Sequence, residues 1–158
     1  MSMTKRIRYK IGDIFLVPLE DDRKGVGRVL INSQATVFIE LYRIKPINDA
    51  SEFHYEEAIK EPPIVRHWCY DDALRTGEWE IIDNRPIVGE IDMPYFWHQD
   101  AGDKRYYIRK GKRDSYRTSE ERIEILKEET HKYEITGIGS EKFERNRYIK
   151  KLREAGLI

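Results

Sequence analysis

The apolar positions of this chain come in short runs broken by turn residues, and up to about residue 110 most of the runs read as strands. Ile14, Phe15, Leu16 and Val17 run without a polar break into Pro18, which predicts a strand over 13–18. "EDDRKG" follows as a turn, in which Gly25 is expected to take a positive φ. "VGRVLI" then resumes extended structure, so Tyr9 to Ile31 read as a hairpin. Gln34 to Ile44 carries the strongest strand signal: Val37, Ile39 and Leu41 alternate with Phe38 and Tyr42, and both faces are apolar, as in a strand interior to its sheet.

Beyond Pro46 the period changes. "NDASEFHYEEAI" predicts a short helix near 50–60, capped by Asp49 with Glu52 closing a capping box and Phe53, Ala58 and Ile59 as its buried stripe. Strands are expected again over 64–70, at "EWEII", at Tyr95 to Trp97 and at "RYYIRKGKRD". The last two pair across the turn "QDAGD". Asp71 and Gly77 bracket one helical turn. From residue 118 the pattern reads as helical: a first helix in "TSEERIEILKEETHKY" capped by Ser119, and a second after Ser140 ending at Gly156, with Arg145, Tyr148, Ile149 and Leu152 on one face. The expected fold is α+β: a small, strongly bent antiparallel sheet or partial β-barrel followed by two C-terminal helices. A single domain spans 1–158, mainly β over 9–110, with a helical tail over 118–156.

Composition narrows the function classes. Lys and Arg total 29 and Asp and Glu total 29, so no net field steers the whole chain to nucleic acid or membrane. Three Trp, ten Tyr and five Phe argue against disorder. The single cysteine, Cys69, excludes an internal disulfide. No apolar run reaches the roughly 18–20 residues of a membrane span, and no apolar segment follows the basic N-terminus, so the expectation is a soluble cytoplasmic protein.

Catalytic signatures do not assemble. Gly25 and Gly27 form GxG, but the third glycine of a dinucleotide fingerprint is missing and a strand, not a helix, follows. His54, His67, His98 and His131 make no HExxH, and no CxxC exists. Two pairs are sterically allowed in extended chain, Cys69 with His67 and His98 with Asp100, since residues two apart share a face. Neither gathers a third member. We therefore expect no catalytic residue, no cofactor and no metal.

Two charged segments are candidate surfaces. Lys104, Arg105, Arg109, Lys110, Lys112, Arg113 and Arg117 face only Asp114 as an acid, with Tyr106, Tyr107 and Tyr116 interleaved. Such a hairpin suits a nucleic-acid backbone, or it is a solvated edge guarded by cations. From Asp71 to Asp103 nine acidic residues oppose only Arg75 and Arg85, and Trp79, Tyr95, Phe96 and Trp97 lie among them. An acidic, aromatic-bearing surface suits a basic protein partner.

The motifs also resemble a known family. Gly12, Asp13, Phe15, Pro18, Leu19, Gly25, Gly27, Arg28 and Val29, then Gly77, Trp79, Ile81, Ile82, Pro86, Pro94 and Phe96, are similar to the immunity protein 26 family of bacterial polymorphic toxin systems. The resemblance covers about residues 9 to 97. It implies a cytoplasmic antitoxin without catalysis, whose partner is a cognate toxin domain, a nuclease with a basic cleft in one reading. On that reading the partner-binding residues are expected to be Tyr95, Trp97, His98, Asp100, Asp103, Asp71 and Asp72. A nucleic-acid-binding barrel using 104–117 is the alternative.

Overall fold

A computed structural model describes residues 6–111 and 122–158 of the 158-residue chain. It divides into two compact units, one of Met1–Gly89 with Gly139–Ile158 and one of Glu90–Ile138.

The first unit carries β1 (Asp13–Pro18), β2 (Lys24–Ser33), β3 (Thr36–Leu41), α1 (Tyr55–Ala58), β4 (Val65–Tyr70), α2 (Asp72–Thr76), β5 (Ile81–Asn84) and α3 (Glu141–Glu154). With β10 (Ile138–Gly139), its sheet has the order β10-β4-β3-β2-β1-β5, and β1–β2, β2–β3, β3–β4 and β1–β5 are antiparallel. The meander follows from tight turns. Asp21 and Asp22 take φ of 59° and 60°, and Gln34 and Ala35 take 48° and 63°. Two successive positive φ values are what a two-residue type I′ hairpin needs to match strand twist. The positive φ expected of Gly25 is thus carried by the aspartates before it, and Gly25 itself lies within β2.

Both faces of this sheet are covered, which explains its unbroken apolar runs. On one face Phe15, Val17, Val37, Ile39 and Leu41 pack with Trp79 and with Tyr148, Ile149 and Leu152 of α3. On the other, Ile14, Leu16, Val26 and Tyr42 pack with Ile47 and Ala58. All six residues of β3 are buried, as its two apolar faces predict. The 50–60 helix is split into a 3-10 turn at Ala50–Glu52, with the expected Asp49 capping box, and the single-turn α1. Ile59, assigned to its buried stripe, is 44% exposed.

The second unit carries β6 (Tyr95–Gln99), β7 (Tyr106–Lys110), β8 (Ile123–Ile125) and β9 (Glu134–Ile135), in the order β8-β7-β6-β9. The β6–β7 hairpin forms as expected. Three expectations are corrected. Among the described residues neither sheet closes on itself, so they form no barrel. The pairing is not purely antiparallel, because β9 runs parallel to β6. And the first of the two C-terminal helices is, over its described residues, the strand β8 followed by a 3-10 segment at Lys127–Lys132. Ile123 and Ile125 satisfy a two-residue period as well as a helical one, and pairing with Ile108 and Tyr106 on β7 decides for the strand. The predicted cap Ser119 lies outside the described residues. The second helix, α3, forms as expected, with Ser140 accepting a hydrogen bond from the Phe143 amide at 3.1 Å.

Candidate functional site

Strand alternation sorts the second sheet into two faces. Tyr95 and Trp97 share a face with Tyr106, Ile108, Ile123, Ile125 and Ile135, while Phe96, His98, Tyr107, Arg109 and Glu124 point the other way. Tyr95 and Trp97 are half-buried. The Lys110 ammonium stands 4.9 Å from the Tyr95 ring centre, and the Trp97 and Tyr106 rings lie 6.0 Å apart in a tilted arrangement. Phe96, counted among the surface aromatics, is 1% exposed and therefore buried.

The β6–β7 turn is organised by the two aspartates assigned to partner contact. One oxygen of Asp100 accepts from the Gly102 amide at 2.7 Å and the Asp103 amide at 3.1 Å. The other accepts from Arg122 Nη1 at 2.6 Å. The hydrogen bond from the Arg122 guanidinium, with the two amides, holds the Asp100 carboxyl down at about 2. Asp103 accepts from the Tyr107 hydroxyl at 2.5 Å and the Arg105 amide at 2.8 Å, and the first of these lowers its pKa. The Arg122 guanidinium also stacks 3.7 Å over the Tyr107 ring centre. These carboxylates therefore shape the loop as well as charging it.

His98 stacks on Tyr107 at 5.8 Å. Burial, then the charges of Arg109 and Arg122, lower its pKa against the opposing pull of Asp100. The ring is therefore neutral near pH 7. Asp100 directs its oxygens to Arg122 and to its own turn, and His98 Nδ1 has no hydrogen-bond partner among the described residues. The acid–base dyad considered for these two is not assembled.

Asp71 and Asp72 lie in the first unit. Asp71 is 4% exposed; it accepts from the Tyr9 hydroxyl and from Arg75 Nε, the latter at 2.7 Å. Asp72 is exposed and pairs with Arg75. Asp71 is thus a bracket for the N-terminal segment, and Asp72 is the member of the pair open to solvent. Trp79 stacks on Phe15 with ring centres 5.2 Å apart and is 2% exposed, so it belongs to the core.

The Cys69–His67 pair shares a strand face, as the spacing allows, but both side chains are buried. Burial, then the charge of Glu144, pushes the Cys69 thiol well above its ordinary range. His67 Nδ1 meets Glu144 Oε1 at 2.6 Å instead. Glu144 is fully buried, and the sequence reading missed it: a glutamate in a charged helix carries no local sign that it faces inward. Glu141 was missed as well. A hydrogen bond that the protonated Glu141 carboxyl donates to Glu78, with burial and the charges of Glu78 and Asp72, pushes its carboxyl up to about 7. Of the basic hairpin, Lys104, Arg105, Arg109 and Lys110 are described. Arg105 pairs with Glu124 at 3.7 Å and Lys110 with Asp92 at 3.7 Å. Lys112, Arg113, Asp114, Tyr116 and Arg117 lie outside the described residues.

A family model, Immunity protein 26, matches residues 10–108, more than half of the chain. The chain belongs to the immunity protein 26 family. It is accordingly an immunity protein of a toxin system. No curated protein and no solved structure matches it.

The residues that carry the resemblance shape the fold of this immunity protein. Gly12 takes φ +91°, and a Cβ there would meet the Arg85 carbonyl. Gly77 takes φ +85° as it ends α2. Phe15 and Trp79 form the stacked pair of the core. Among the described residues no helix is long and apolar enough to cross a membrane, and no group of three or more His, Cys, Asp or Glu side chains is placed to hold a metal ion.

Proposed function

We propose that this immunity protein acts by binding a cognate toxin domain and occluding its active site. Family membership over residues 10–108 carries the reading. Catalysis by the immunity protein is not needed for it. A buried thiol with a raised pKa and a histidine committed to Glu144 are consistent with a purely binding role.

Within the second unit, Tyr95 and Trp97 supply aromatic anchors on one sheet face, beside the hairpin turn that Asp100 and Asp103 organise. Aromatic anchors dominate binding energy where they become desolvated, and fixed carboxylates steer a basic partner. A toxin with a basic, nucleic-acid-binding cleft fits that chemistry.

The test is co-expression of the toxin domain encoded beside this gene with the full chain. Growth rescue by the wild type and at least tenfold weaker capture by Trp97→Ala and Tyr95→Ala are expected. No rescue and no complex would overturn the reading. Gel shift of the full chain with a nucleic-acid duplex at about 50 mM salt tests the alternative, which requires binding that weakens steeply with salt.

A further inference from the structure

β8 is the end strand of the second sheet: β7 lies on one side of it, and no strand lies on the other among the described residues. It is only three residues long. Ile123 is 47% exposed, Glu124 is exposed, and Leu126 just beyond the strand is 66% exposed. An exposed edge offers backbone donors and acceptors to an incoming strand. Natural sheets blunt such edges by keeping them very short, with charged side chains or proline, or with a covering element. β8 is short and its one charge is acidic, so the edge disfavours a like-charged strand and leaves a basic one as the matching partner.

We propose that β8 is a β-augmentation site, at which an extended segment of the toxin adds as a fifth strand, with a basic residue opposite Glu124 and apolar residues opposite Ile123 and Ile125. The inference rests on the toxin-binding reading and names the edge that does the binding. Charge decides the occupant. A second copy of the chain, paired antiparallel about Glu124, would set Ile123 against Ile125 but two glutamates directly opposite each other, an unfavourable cross-strand pair. A segment alternating apolar–basic–apolar replaces that repulsion with attraction and keeps both isoleucine contacts. The Arg105 pairing of Glu124, at 3.7 Å between side chains 65% and 54% exposed, is solvent-screened and open to exchange. Main-chain hydrogen bonds would supply affinity, and the alternating side chains register.

The probes are two capped heptapeptides alternating isoleucine with arginine or isoleucine with glutamate, titrated into the isotope-labelled full chain and followed by amide shifts. The arginine peptide is expected to bind at least tenfold more tightly than the glutamate peptide, with the largest shifts at Ile123–Leu126. Glu124→Lys, an exposed substitution that spares the interior, should reverse the preference. Shifts confined elsewhere, equal binding of both peptides, no binding of either, or self-association that Glu124→Lys strengthens would each overturn the proposal. Capture of the co-expressed toxin domain separates the two readings: wild-type capture that Glu124→Lys leaves unchanged rejects the edge and keeps toxin binding, while absence of wild-type capture rejects toxin binding itself.

Discussion

The ring of Tyr148 on α3 occupies the space where Gly25 of β2 would carry a side chain. A Cβ at Gly25 would fall on the ring atoms, and the Tyr148 hydroxyl donates to the Tyr42 carbonyl at 2.6 Å and accepts from the Val26 amide at 3.3 Å. Gly25 therefore lets a C-terminal helix reach the backbone of an N-terminal sheet. Gly25→Ala is expected to cost about 1–3 kcal/mol, the range for overpacking a filled core. Tyr148→Phe, which keeps the ring and loses the hydrogen bonds, should cost about 1–2 kcal/mol. Combining Gly25→Ala with Tyr148→Leu should cost less than the sum of the two single changes, read as midpoint shifts in urea.

The His67–Glu144 contact ties β4 to α3 with both side chains out of water. Removing one partner strands a buried polar group, so Glu144→Leu or His67→Leu alone is expected to lose about 3–5 kcal/mol. The double replacement by leucine removes both groups and should recover most of that loss. Equilibrium denaturation of the three variants checks it; a double variant no better than the worse single one would show that the pair is favourable in its own right.

Glu141 sets a pH dependence with a defined sign. Its folded value of about 7 lies above the ordinary 4.5, so the folded state binds this proton more tightly than the unfolded chain. The stabilisation this gives is complete below about pH 4.5 and is lost as pH rises through 7. A first-turn glutamate would ordinarily be favoured by the helix dipole; here Glu78 and Asp72 outweigh it. Glu141→Gln should be near neutral at pH 4.5 and stabilising at pH 8, by about 1 kcal/mol after allowance for solvent screening. Denaturation midpoints at the two pH values decide the matter.

The β6–β7 turn makes a separate prediction. With Arg122→Gln, Asp100 should lose the hydrogen bond that contributes most to its depressed value and titrate closer to the ordinary carboxylate range. Its two turn amides should keep it from reaching that range fully. Carboxyl carbon shifts followed from pH 1.5 to 6 measure the change. An Asp100 value still near 2 would assign the depression to the amides instead.

Much of the first unit was legible because its signals are local. A two-residue apolar period, the Asp49 and Ser140 caps and the Gly77 stop each act over a few residues, and each reads the same in isolation as in the fold. Gly25 was legible as a family residue but misread as a turn residue, since the reason for it sits 123 positions away in Tyr148. Of the expected contact residues, Tyr95 and Trp97 keep the shared face that their spacing requires, whereas the aspartates draw partners that no spacing rule supplies.

The sequence by itself determined the α+β class, the hairpin of the first two strands, the capped C-terminal helix and the family, because backbone preference and apolar alternation are written residue by residue. Only the tertiary structure decided that residues 123–125 pair as a strand, that the sheets stay open, and that Glu144 turns inward to His67. Those outcomes depend on which distant groups meet. Burial energy, ladder hydrogen bonds and the cost of an unpaired charge are properties of the contact, and they outweigh local propensity wherever the two disagree.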